Sequence, residues 1–264
     1  MPDRTNPFLR AYVWLLIAFL ALPLVVVVGS SFNEAAAISF PPRGFTFHWY
    51  SEAWNNADMV RSGLNSLWLA IYSTAISIAI GVPAALALVR HVHRYRDALQ
   101  AFLLSPMTVP AIVLGIAFLV FFGRTGMGLS FTTLLISHVV ITVPYVIRSV
   151  AGVYLGVAVS VEEAAKVLGA NPLQLFLRVT LPLIMPGVVA GGLFSFIMSF
   201  DNVPVSIFMT RHETITLPVY VMSYLQHNFD PTIAAVSSIQ VLFTTVLIVL
   251  IEKFYGIRRL TETI

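Results

Sequence analysis

Apolar residues run in long blocks along this chain, separated by shorter polar stretches. Six blocks, near 11–30, 63–89, 101–122, 131–150, 187–209 and 233–254, reach the length of about 20 residues that a helix needs to cross a hydrocarbon core of about 30 Å. The pattern predicts an all-α, polytopic membrane protein with about six transmembrane helices, forming a single domain over 1–264. The first block follows Arg4 and Arg10 and has the small residues Ala35, Ala36 and Ala37 downstream, as a cleaved signal peptide would. Its apolar core, from Ala11 to Gly29, exceeds the roughly 7–15 residues of such a segment, and it reads as a retained helix. Pro106, Pro110, Pro144 and Pro204 interrupt later blocks, as happens where irregular backbone lines a cavity.

The polar connections differ in length. Residues 31–61 form a long segment that includes Phe40-Pro41-Pro42-Arg43-Gly44 and the aromatics His48, Trp49, Tyr50 and Trp54, which suit a membrane–water interface. Residues 151–186 form the second long connection. Ser160–Glu163 fits a capping box that starts a short helix there, with Glu162 and Lys166 four apart in the favourable order and Gly169 at the stop. Asn171 then caps a second helix with Pro172 at its first position, and Leu181-Pro182 closes the segment. The two readings of this region are a docking knob for a partner's groove and an ordinary structured loop.

Composition agrees with the bilayer as solvent. The chain is 58% hydrophobic and only 10% charged, against about a quarter charged in soluble domains, with a mean hydropathy of +0.88. It has no cysteine, which excludes disulfides, thiolate nucleophiles and cysteine metal sites. The net charge of +3 comes from dispersed basic residues rather than one patch, so lipid and not nucleic acid is the expected partner. Those residues set an orientation. With the N-terminus inside, Arg4, Arg10, Arg90, Arg94, Arg96, Arg148, Lys166, Arg178, Lys253, Arg258 and Arg259 are cytoplasmic and Arg43, Arg61, Arg124 and Arg211 external. Eleven against four places both termini in the cytoplasm, the 31–61 segment outside and the 151–186 connection inside.

Within that inner connection, Glu163-Ala164-Ala165, Gly169 and Val179-Thr180-Leu181-Pro182 resemble the E-A-A-x3-G-x9-I-x-L-P signature of binding-protein-dependent ABC importer permeases of type I, with valine at the usual isoleucine. Ser31-Phe32-Asn33 and Ser199-Phe200-Asp201-Asn202-Val203 resemble the spermidine/putrescine branch, whose relatives carry opines, 4-aminobutyrate-like amines or ferric iron. The resemblance implies a permease in a bacterial inner membrane, paired with a second, homologous permease chain, served by an ABC ATPase dimer and a periplasmic substrate-binding protein. It assigns Glu163, Ala164, Ala165, Gly169, Leu181 and Pro182 to ATPase coupling. No G-x-x-x-x-G-K-[ST] loop is present, so the chain needs no cofactor of its own and ATP belongs to the partner ATPase.

For the solute pathway, Asp201 is the one acidic residue inside an apolar block, where an ionised carboxylate costs about 2.5–3.5 kcal/mol and requires a cavity or a partner. A cationic amine would serve, as would a neighbouring subunit or a helix break at Pro204. Ser199 and Asn202 flank it, and Tyr145 offers either a cation–π face or simple packing. His138 stands alone and reads as a hydrogen-bonded packing residue rather than a metal ligand. The rival readings are an ion-gradient-driven secondary transporter and an intramembrane protease. The first four blocks lack any acidic residue, and H-E-x-x-H and G-x-S-x-G motifs are absent.

Overall fold

A computed structural model describes residues 7–36, 39–92 and 94–255. Arg4, Ala37, Arg258 and Arg259 lie outside the described residues. In chain order the helices are α1 (Pro7–Ser30), α2 (His48–Asn55), α3 (Ala57–Arg90), α4 (Arg96–Leu104), α5 (Ala111–Arg124), α6 (Phe131–Leu155), α7 (Val159–Val167), α8 (Pro172–Leu175), α9 (Leu181–Phe200), α10 (Ser206–Met209), α11 (Leu217–Leu225) and α12 (Thr232–Tyr255). No strand occurs among the described residues.

Five helical stretches are long and apolar enough to cross a membrane: 8–30, 57–90, 131–155, 172–200 and 232–253. The block at 101–122 is not one straight span. It is a pair, Arg96–Met107 and Ala111–Arg124, bent by 93°. Pro106 sits in a 3-10 turn and Pro110 caps α5, so two missing amides within five residues prevent a continuous α-helix. Counted as one broken span, the pair makes the sixth.

Other boundaries also move. In the 187–209 block the long helix ends at Phe200 and only the short α10 follows, and the 151–186 connection, which holds α7, shrinks to 156–171, because α6 runs to Leu155 and the next long helical stretch begins at Pro172. Pro144 does not interrupt α6; it is buried within an unbroken helix. Leu181-Pro182 closes nothing either. A π-helical turn, Phe176–Thr180, joins α8 to α9, and the Leu181 N–H donates to the Phe176 carbonyl. Pro182 has no amide to donate and would crowd the carbonyl four residues back, and the wider turn accommodates it.

The chain is organised as two compact units. In the unit of Met1–Val60 and Val221–Val246, the most apolar window of α1 has no buried residue, as expected for a helix whose solvent is lipid. Asn33, fully buried, organises the segment that follows. Its amide donates to Ser39 Oγ (2.8 Å), its Oδ1 accepts from the Arg43 N–H (2.7 Å), and its carbonyl accepts from Trp49 Nε1 (2.7 Å). Phe32 stacks on Phe45 at 4.8 Å and meets Phe47 edge-on. Trp49 is therefore a core residue of this segment rather than part of an interfacial belt, whereas Trp54 is 77% exposed.

In the unit of Arg61–Tyr220 and Leu247–Ile264, α6 and α9 pack along their length. Gly187 and Gly191 allow it. A Cβ at Gly187 would sit 2.9 Å from the Ser149 carbonyl, and one at Gly191 would sit 2.8 Å from Val146 Cα. Without a hydrophobic force between helices in lipid, such close backbone approach supplies the contact. Val82, Ala85, Leu88, Val146, Val150 and Ile184 belong to one apolar cluster, and Leu69, Phe122, Leu134, Ile141, Val205 and Met209 form a second. Along α3 and α6 a fully buried polar layer lies beside these clusters: Ser73, Ser77, His138 and Thr142.

Candidate functional site

α7 begins with Ala158 as its cap, in extended backbone, and no side chain completes the cap. The expected Ser160–Glu163 capping box does not form, because the helix starts at Val159 and places Ser160 inside the first turn. That register turns Glu162 inward instead of toward Lys166. Glu162 is buried, accepting from the Tyr154 hydroxyl at 2.9 and 3.0 Å and from Thr180 Oγ1 at 2.7 Å. Arg90 Nε lies 3.7 Å from the same carboxylate, its guanidinium stacks 4.7 Å over the Tyr154 ring, and its Nη2 donates to the Val157 carbonyl at 2.5 Å.

The motif residues face the other way. Glu163 and Ala164 are exposed and Ala165 is half-buried, while Val167 and Leu168 at the helix end are 86% and 88% exposed. Gly169 has φ +87° and ends α7 in a Schellman arrangement: its N–H donates to the Lys166 carbonyl and the Ala170 N–H to the Ala165 carbonyl, each at 3.0 Å. Nothing lies within 4 Å of where its Cβ would be, so the backbone, not crowding, demands glycine there. Asn171 caps α8 as expected, accepting from the Gln174 N–H at 2.8 Å while Gln174 Oε1 accepts from Asn171 N–H at 3.1 Å. Leu181 is half-buried and Pro182 exposed at the start of α9, beyond the π-turn that carries Thr180 to Glu162. The structure thus gathers the Glu-Ala-Ala part of the motif into one short helix with an outward apolar tip and an inward polar root, and leaves the Leu-Pro part at the start of α9.

The residues assigned to a solute pathway separate. Asp201 is exposed at the C-terminal end of α9, not inside a span. Ser199 is buried and engaged: its hydroxyl accepts from Ser73 Oγ (2.9 Å) and meets His138 Nδ1 (2.8 Å). Asn202 is buried and its Oδ1 accepts from the Val205 N–H at 3.0 Å, shaping the break before α10. His138, as expected, is a packing residue with both ring nitrogens satisfied, the second by Ser206 Oγ at 3.1 Å. It bridges the two sides of the α9–α10 break. A Cβ on Gly115 of α5 would lie 2.7 Å from the Pro204 carbonyl, so bare backbone of α5 braces the same turn.

Tyr145 lines a different feature. With Arg148, Ser149, Gly152, Leu183 and Phe194 it borders an open groove of about 1020 Å³. The Tyr145 carbonyl lies beside Gly191, and Asp201 follows ten residues later, about 15 Å farther along α9 at 1.5 Å per residue. No cluster of metal-ligating side chains occurs among the described residues.

Residues 77–257 match the model of the family described as binding-protein-dependent transport system inner membrane component. The chain belongs to that family. This permease is 31% identical over 245 residues to the spermidine/putrescine transport system permease protein PotC of Haemophilus influenzae, covering 92% of this chain and 95% of that one. It is 27% identical to the putrescine transport system permease protein PotI of Escherichia coli, over 90% of this chain and 87% of that one. It is also 32% identical to the molybdenum transport system permease protein ModB of Mycobacterium bovis, but over 71% of this chain and 76% of that one. Among solved structures, a bacterial ABC transporter involved in alginate import matches with a TM-score of 0.74 at 19% identity, covering 97% of the permease and all of that chain. The inward-facing MetNI methionine ABC transporter matches at 0.58 and 19%, over 78% and 95%. Both show the fold. The permease is thus the multi-pass, non-enzymatic membrane component of an ABC importer in a bacterial inner membrane, and such a component implies an ATPase, a binding protein and a second permease.

Sequence reading missed the inward root of α7, made by Arg90, Tyr154, Glu162 and Thr180. The available signal was Glu162 itself: two adjacent carboxylates on a short helix cannot both face the same way, and only one fits the motif.

Proposed function

We propose that this permease is one domain of a polyamine importer, receiving force at α7 from a separate ATPase and passing a small cationic amine. Similarity to a spermidine/putrescine permease over more than nine-tenths of both chains carries the choice of solute. The exposed acidic group of Asp201 at a braced helix break suits a cation. The molybdenum-permease similarity favours an oxyanion over a shorter stretch, and an exposed carboxylate repels one.

In this reading Val167 and Leu168, with Glu163, Ala164 and Ala165 beside them, sit in a groove of the ATPase, which alone binds ATP, and Gly169 sets the angle of the knob. Leu181 and Pro182 carry the movement into α9. The companion permease is a homologous, non-identical chain, a periplasmic protein delivers the solute, and both termini are cytoplasmic. Asp201, with Ser199 and Asn202 holding its turn, meets the amine at the outer end of α9, and Tyr145 lines the path nearer the other end.

The test is uptake into proteoliposomes containing the complete importer and its binding protein. ATP-dependent accumulation of spermidine or putrescine, with no molybdate uptake, supports the proposal. Molybdate uptake in place of amine uptake refutes the solute, and accumulation by this chain without an ATPase refutes the coupling. Because the chain has no cysteine, single cysteines at Trp54 and Lys253 report orientation directly: only the first should react with an impermeant maleimide added outside cells.

A further inference from the structure

The root of α7 gathers groups from three separated stretches of chain. Arg90 is the last residue of α3, Tyr154 lies in the final turn of α6, and Thr180 ends the π-turn that enters α9. All converge on one carboxylate, Glu162, which α7 supplies. Tyr154 and Thr180 are buried, and both of their hydroxyls donate to it. Arg90 adds an ion pair to one carboxylate oxygen, Nε lying 3.7 Å from Oε2, covers the tyrosine ring and holds the Val157 carbonyl just ahead of α7. A helix of nine residues attached only through its flanking chain would tilt when pushed at its tip. One pinned at its inner face to α3, α6 and the start of α9 moves those helices with it.

We infer that Glu162 is the positioning residue that makes α7 and the inner ends of α3, α6 and α9 one rigid lever; this rests on the reading that the ATPase docks on α7. Glu162 does not face the ATPase. It converts displacement of the exposed tip at Val167 and Leu168 into displacement of the membrane helices. Loss of the carboxylate leaves two buried hydroxyls without their shared acceptor and the Arg90 guanidinium without its counter-charge, and frees α7 to swing alone.

The test uses the assembled importer in nanodiscs, with spin labels at Leu155→Cys on α6 and Lys166→Cys on α7, both exposed in a chain with no other cysteine. With Glu162 present, the distance between labels should be narrow and identical without nucleotide and with ATP and vanadate. With Glu162→Ala it should shift by about 2 Å or more between those two states, because α7 follows the ATPase and α6 does not. A merely structural role predicts equal broadening in both states, and that result, or no change, overturns the inference. If Glu162→Ala does not assemble, Thr180→Val and Tyr154→Phe each remove one donor and should show the same nucleotide-dependent shift at smaller size; its absence in both likewise overturns it. Gly169→Glu separates the two ideas. If it leaves co-purification of the ATPase intact, docking at α7 is wrong; if it abolishes co-purification while the Glu162→Ala distances stay fixed, only the lever is wrong.

Discussion

Replacing Gly191 with alanine adds one methyl group at the tightest point of the α6–α9 contact. Its Cβ would lie 2.8 Å from Val146 Cα, 3.2 Å from Ser149 Cβ and 3.4 Å from the Tyr145 carbonyl, against 3.4–4 Å for ordinary contact. Two of these are backbone atoms and cannot rotate away, so α9 must retreat from α6. Gly187, one turn earlier and equally close to Ser149 and Val150, loses its contact in the same movement. Overpacking of this kind costs about 1–3 kcal/mol. At about 2–4 °C per kcal/mol, the melting midpoint in detergent should fall by about 2–12 °C, read by intrinsic fluorescence of the four tryptophans. Gly152→Ala is the control: it lies in α6, nothing is within 4 Å of its Cβ, and alanine gains about 1 kcal/mol in helix propensity. If the two variants melt together, close glycine packing does not hold α6 to α9 and the reasoning fails.

Asp201→Asn removes a charge at the α9 terminus; if it pairs with an amine, the loss of about 1.5–3 kcal/mol raises the KM for spermidine about tenfold or more, and unchanged uptake kinetics remove Asp201 from the pathway. His138→Leu unlinks Ser199 from Ser206 and leaves both hydroxyls in a buried layer, so it should destabilise the protein by about 1–3 kcal/mol in denaturant titration, whereas Ser73→Ala, which removes one hydroxyl from the same layer, should cost only about 0.6 kcal/mol. Gly169→Ala has room for its methyl but must hold φ near +87°, so α7 should lose about 1–2 kcal/mol at its end, visible as faster amide exchange over 164–170; exchange identical to the unaltered protein would contradict the left-handed cap.

Long apolar runs made five spans readable, since lipid enforces helix wherever backbone would otherwise meet hydrocarbon. The bend at 105–110 escaped because apolar content says nothing of direction, and only the spacing of Pro106 and Pro110 carries it. Gly169 and Asn171 were legible as caps because their chemistry is local. The partners of Glu162 were not: Arg90 and Thr180 are 72 residues before and 18 after it, and no local pattern joins them. The polar layer around His138 was likewise hidden, since serine and threonine hardly lower the hydropathy of a span while their pairing depends on helices far apart in sequence. Tyr145 and Asp201 were grouped by chemical suitability, and helix rise alone separates them.

The wide turn at Phe176–Thr180 carries one residue more than an α-helix would need between Asn171 and the α6-facing stripe of Ile184, Gly187 and Gly191. One residue corresponds to about 100° of rotation. The turn therefore works as a phase shifter: it lets Thr180 and that stripe share an orientation while the capped segment upstream is indexed differently around the axis. Deleting a single residue between 176 and 179 would straighten the helix and leave Asn171, and the knob tethered to it, close to their present orientation, because the five residues of the turn cover about the arc of four in an α-helix.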